Sequence, residues 1–152
     1  MNAFRTYINT KNELKIAEIR LKWLYEKKEV LEVKYLGIKS KPIGEMPTTH
    51  NVSNDSTVIA FIYEYEDKKQ KNGLSIKEEI TSLELTVNSL KSSVEKMEKA
   101  LREMQGIEYQ LFYLIKVEGK RPKRAVNLVT DSSGMSEATI WRYYGKMKEC
   151  LK

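Results

Sequence analysis

The chain has 152 residues, of which 41% are hydrophobic and 32% charged, with a formal net charge of +6. That is too apolar for a disordered chain and too charged for a membrane protein, and no run approaches the ~20 apolar residues that span a bilayer. A single Cys150 excludes an internal disulfide, a single His50 leaves no Cys or His cluster for a metal, and the polar-interrupted start MNAFRTYINTKNELK does not read as a signal peptide, so a cytoplasmic protein without metal or membrane association is expected.

Helical spacing appears first from about Lys11 to Tyr35, where Leu14, Ala17, Leu21, Leu24 and Leu31 share a face that Lys28 interrupts. Gly37 is the natural stop. Pro42, Gly44 and Pro47 then make residues 37–54 a loop, and its His50 is given no role. Ser53, Asn54 or Asp55 can cap a second helix, whose apolar face is Val58, Phe61, Ile62 and Tyr65. The run VIAFIYEY is rich in strand formers, yet its spacing is helical. The polar EDKKQKNG ends that helix at Gly73.

The most regular pattern follows. Ile80, Leu83, Val87, Leu90, Val94, Met97, Leu101 and Met104 alternate by three and four, and Ile76 extends the series. This is a coiled-coil seam over residues 76–104, with branched Ile80, Val87 and Val94 at a and Leu83 and Leu90 at d, a choice that favours a parallel dimer. The flanks argue the other way, because Glu79 and Glu84 would face like charge and Thr86, Ser93 and Ala100 offer no ion pairs. The seam therefore either forms a homodimer or packs inside one chain against residues 11–35 and 55–71.

Gly106 opens the last segment. IEYQLFYLIKVEG reads as a short helix burying Leu111, Leu114 and Ile115; Pro122 starts a second that carries Ala125, Val126, Leu128 and Val129. TDSSGM is the expected turn, and Ser136 caps a third helix with Ile140, Tyr144, Met147 and Leu151 toward the core. The expected class is all-α: helices with a coiled-coil-like element in residues 1–105, then a three-helix domain over 106–152 whose helix-turn-helix lies at roughly 121–151.

Charge singles out this end. Residues 119–152 hold eight Lys and Arg against three Asp and Glu, a net +5, while residues 37–106 hold ten against eleven. Such an excess suits phosphate, and equally a solvated face. On the third helix Ala138, Arg142, Gly145 and Lys146 oppose the core, with Glu137, Thr139 and Trp141 at the margins. The first residues of such a helix, Ser136 included, meet base edges or backbone in a major groove. Arg142 can bond guanine O6 and N7 together, and Ala138 permits close approach. Lys120, Arg121, Lys123 and Arg124 at the start of the preceding helix suit phosphates.

These residues carry a resemblance. GIEYQLFYLIKVEGKRPKRAV resembles region 4 of bacterial sigma factors, and SEATIWRYY resembles the start of the recognition helix there. The layout, with its Pro-containing loop, VSNDSTVIA and long helix, is similar to the phage late-gene transcriptional regulators of the RinA and ArpU type. The resemblance implies binding to double-stranded phage DNA and control of late transcription through contact with host RNA polymerase. The chain departs from the family pattern at Gly134, which comes nine residues after Ala125 where four are usual, so the second helix is longer or the turn expanded. No enzyme or cofactor is expected, because phosphate-binding glycine loops and partnered nucleophiles are missing. The rival readings are a phage small terminase subunit and a structural coiled-coil protein.

Overall fold

A computed structural model of the chain describes residues 2–37 and 55–152, and among these every regular element is helical. The six are α1 (Ala3–Leu31), α2 (Asp55–Ile62), α3 (Ile76–Glu103), α4 (Ile107–Phe112), α5 (Pro122–Ser133) and α6 (Glu137–Glu149). Wide π-type turns extend α1 over Glu32–Leu36, α2 over Tyr63–Asp67 and α4 over Tyr113–Val117. The strand-prone VIAFIYEY is helical throughout. The loop residues Pro42, Gly44, Pro47 and His50 and the capping candidates Ser53 and Asn54 lie outside the described residues.

Sequence periodicity places the start of α1 near Lys11; the helix begins at Ala3. Asn2 supplies the missing start signal, since its Oδ1 accepts from the Phe4 amide at 2.9 Å. Phe4 and Tyr7 are then buried one turn apart. At the far end Gly37 closes the element in the left-handed region, whereas α2 stops before Gly73: its π-type turn ends at Asp67, Lys68 is extended, and Gly73 lies in the turn that follows.

The chain divides into two compact units, Leu14–Ser89 and Met1–Glu13 with Leu90–Lys152. In the first of these, Leu24, Ile76 and Ile80 form a core against which Leu21, Leu31, Tyr65 and Leu83 pack. Tyr25 donates to Glu84 Oε1 at 2.6 Å while Leu31 lies beside Ile76, so residues 14–31 run antiparallel to residues 76–89. Lys28, the interruption in the α1 face, lies over the Tyr65 ring at 5.2 Å, which lets a cation sit among apolar neighbours. The start of α3 is a capping box: the Glu78 amide donates to Ser75 Oγ at 3.1 Å and the Ser75 amide donates to Glu78 Oε1 at 3.2 Å.

Along α3 the two rows of the heptad differ. Ile80, Val87, Val94 and Leu101 are buried by the chain itself, whereas Leu83, Leu90 and Met97 are half-buried and Met104 is exposed.

The other unit holds α4, α5 and α6 around Leu111, Phe112, Ala125, Val126, Val129, Ile140 and Met147, all essentially inaccessible. Leu114, Ile115, Leu128, Tyr144 and Leu151, expected in this core, are half-buried, and Phe112 takes the central place instead. The N-terminal residues complete it. Phe4 stacks on Phe112 with centroids 4.3 Å apart and meets Tyr109 edge-on at 5.0 Å; Tyr7 meets Phe112 edge-on at 5.8 Å.

Candidate nucleic-acid interface

The start of α5 follows from one proline. Arg121 is extended at φ −68° and ψ 150°, as a residue before proline must be, and Pro122 occupies the first turn, where its missing N–H is harmless. Arg121, Lys123 and Arg124 are exposed and Lys120 is half-buried, its amide donating to the Leu114 carbonyl at 2.9 Å. Among the described residues none of these four cations has a carboxylate partner. Ala125, Val126 and Val129 turn the opposite side of α5 into the core.

The turn expected at residues 130–135 is shorter than the sequence suggests. Thr130, Asp131, Ser132 and Ser133 continue α5, which ends where Gly134 adopts φ 74° and donates its N–H to the Thr130 carbonyl at 3.2 Å. A side chain is costly in this left-handed region, so the glycine fixes the stop. Gly134 thus stands at the end of a helix that runs from Pro122 through Ser133. Only Gly134, Met135 and Ser136 separate α5 from α6.

Ser136 caps α6, its Oγ accepting from the Thr139 amide at 3.3 Å and lying 2.8 Å from Thr139 Oγ1. Thr139 is thereby half-buried and occupied in the cap. Glu137, Ala138, Arg142 and Lys146 are exposed, as the helical wheel predicts, while Ile140 and Met147 are sealed inside. Trp141 is 37% exposed, so its indole does not fill the core. Its Nε1 donates to Glu137 Oε1 at 3.4 Å, and its ring meets Tyr144 edge-on at 5.3 Å. Lys146 lies over Tyr143 at 5.3 Å and Lys148 over Tyr144 at 5.5 Å, which extends the basic surface one residue beyond those expected. Arg142 has no ion pair or side-chain hydrogen bond among the described residues, so its guanidinium fork is available.

The residues that support this surface are not among those expected from the sequence. Asn2 Nδ2 donates to the Cys150 carbonyl at the end of α6, and Tyr7 donates to Glu98 Oε2 at 2.6 Å while accepting from Lys11 Nζ at 3.2 Å. Burial, then the bond to Glu98, hold the Tyr7 phenol well above its ordinary range. The one sequence signal for this support is the i, i+3 spacing of Phe4 and Tyr7.

No group of three or more His, Cys, Asp or Glu that could hold a metal is found among the described residues, and no helix there is long and apolar enough to cross a membrane. Comparison with protein families, with curated proteins and with solved structures gives no match to this chain.

Proposed function

We propose that this protein is a sequence-specific regulator of transcription that binds double-stranded DNA, with α5, the Gly134–Ser136 turn and α6 acting as a helix-turn-helix. The observation that carries this reading is the division of α6. Ile140 and Met147 fix the helix in the core, while Glu137 and Ala138 in its capped first turn and Trp141 and Arg142 just beyond it stand exposed. That is the part of a recognition helix that meets base edges in a major groove. Arg142 reads guanine, Ala138 sets the distance of approach, and Trp141 packs on a thymine methyl or a sugar. Lys120, Arg121, Lys123, Arg124 and Lys146 hold phosphates, with Ser136 and Thr139 keeping the helix start in place. The resemblance to sigma region 4 and to phage late-gene regulators adds a cytoplasmic, non-catalytic role on phage promoters beside host RNA polymerase.

Selection from a random duplex library tests the reading. Enrichment of one motif is expected, with affinity falling steeply as salt rises. Replacing Lys120, Arg121, Lys123 and Arg124 by Gln should flatten that slope by about 0.9 for each phosphate left without its cation. A structural coiled-coil protein would retain no duplex at any salt. A ring of eight or more subunits by light scattering would favour the terminase reading.

A further inference from the structure

α1 carries a second apolar stripe that stands exposed among the described residues. Ile16, Ile19, Trp23, Val30 and Val33 are all exposed, Trp23 by 60% and Val30 by 64%. Ile16, Trp23 and Val30 repeat every seven residues, with Ile19 and Val33 at the alternate heptad position and Glu26 between them. The buried Ala17 and Leu24 belong to the other side of the helix. An amphipathic helix normally has one such stripe, and a contiguous exposed one marks an interaction surface.

The ground around the stripe is concave. A groove of about 400 Å³ is lined by Trp23, Glu26, Lys27, Val30, Leu31 and Ile76. A second, of about 590 Å³, also borders Trp23 and Lys27, with Arg20, Lys71 and Glu79 in its lining. Lys15, Arg20, Lys22, Lys27 and Lys34 flank the stripe, against Glu26 and Glu29. Among the described residues Lys15, Arg20 and Lys22 have no carboxylate partner.

We propose that the outer face of α1 docks an amphipathic helix of a protein partner, apolar along its seam, acidic on its flanks and carrying one cation to meet Glu26. The charge excludes a second copy of this chain, since either orientation would set lysines and arginines against each other across the seam. Glu26 speaks against an anionic lipid surface, which would bring phosphate onto a carboxylate at the centre of the stripe. The two grooves that border Trp23 suit the knobs of a partner helix, the mode in which an apolar helix face is read by a groove. This proposal involves only residues of the Leu14–Ser89 unit and does not rest on the DNA reading of α5 and α6.

The test uses the full chain and a fluorescent synthetic peptide of about four heptads. The peptide has Leu or Ile at a and d, Glu at e and g, and one Lys at a central seam position. Saturable binding is expected, weakened at least tenfold by Trp23→Ala with Val30→Ala and abolished by high salt. Both residues are exposed, and an unchanged thermal transition would show the variant folded. Reversing Lys15, Arg20 and Lys22 to Glu should switch preference to a peptide with Lys at e and g, a gain that unfolding cannot imitate. Failure of the Glu peptide to bind overturns the proposal. So does binding to phosphatidylglycerol vesicles or to duplex DNA through Trp23 and Val30 in preference to the peptide. A doubled solution mass that Trp23→Ala with Val30→Ala abolishes would assign the face to a second copy and overturn it equally.

Discussion

Arg142 and Tyr7 show how a single side chain can be read from opposite circumstances. Arg142 is exposed and unpartnered among the described residues, so removing it should leave the fold intact and act on DNA alone. Arg142→Ala is expected to weaken the preferred duplex by about 1–3 kcal/mol and relax preference at one base pair. Equal weakening of preferred and random duplexes in titrations would make Arg142 a phosphate ligand instead. Tyr7 is buried and donates to Glu98, and its phenol is raised above the ordinary value of 10.0. A folded value above the unfolded one contributes stability that is complete below pH 10 and lost as pH rises beyond it. Tyr7→Phe should therefore cost about 1.5–3 kcal/mol at pH 8, the worth of a hydrogen bond to a charged acceptor. The deficit should shrink when chemical denaturation is repeated above pH 10, where the phenol of the unfolded chain ionises while the folded one, buried beside the Glu98 carboxylate, is held neutral. A deficit that stays constant with pH would separate Tyr7 from this linkage.

The helices are legible in the sequence to the degree that their partners are close by. The helix α3 and its buried row of Ile80, Val87, Val94 and Leu101 follow from spacing alone, and its start is written in Ser75 and Glu78, three residues apart. The exposed side of α6 also follows from the wheel, because Ile140 and Met147 define its core face without outside help. The first turns of α1 are not legible, since Phe4 and Tyr7 gain meaning only from Phe112, far away in the chain. Thr130, Asp131, Ser132 and Ser133 read as a turn because such side chains compete with the helix for backbone hydrogen bonds. Packing of Val129 and the stop at Gly134 decide otherwise. The seam's a row is covered within the chain, so a partner helix in another copy is not needed to bury it. Val87→Asp with Val94→Asp would then place two unpaired carboxylates in a closed interior, at several kcal/mol each against a total stability of about 5–15 kcal/mol. Loss of cooperative unfolding by circular dichroism, with no halving of the native mass, is expected. A folded variant of half the mass would mean that the seam pairs between chains.

At the scale of the molecule, charge and Gly106 suggest a division near residue 106, yet the compact unit that holds α4, α5 and α6 also gathers Met1–Glu13 and the chain from Leu90 onward. The aromatic contacts explain why. α4 has one regular turn and a half before its π-type turn, too little to hold shape alone in water. Phe112 at its end is sealed by Phe4 and Tyr7 from the beginning of the chain, and Asn2 ties the end of α6 through the Cys150 carbonyl. The proposed DNA-reading surface thus depends on residues that never face DNA in this reading. Phe4→Ala removes a ring that is 4% exposed, and truncation of a buried Phe typically costs about 3–5 kcal/mol. Because the loss falls on the support of α4 and not on Arg142 or Ala138, affinity for preferred and random duplexes should fall together, with the base preference unchanged. Phe4→Leu, which keeps most of the apolar volume, should recover much of the melting temperature and of the binding. If Phe4→Ala lowers the melting temperature but leaves duplex affinity untouched at a temperature where the protein is folded, α5 and α6 hold their geometry without the N-terminal residues.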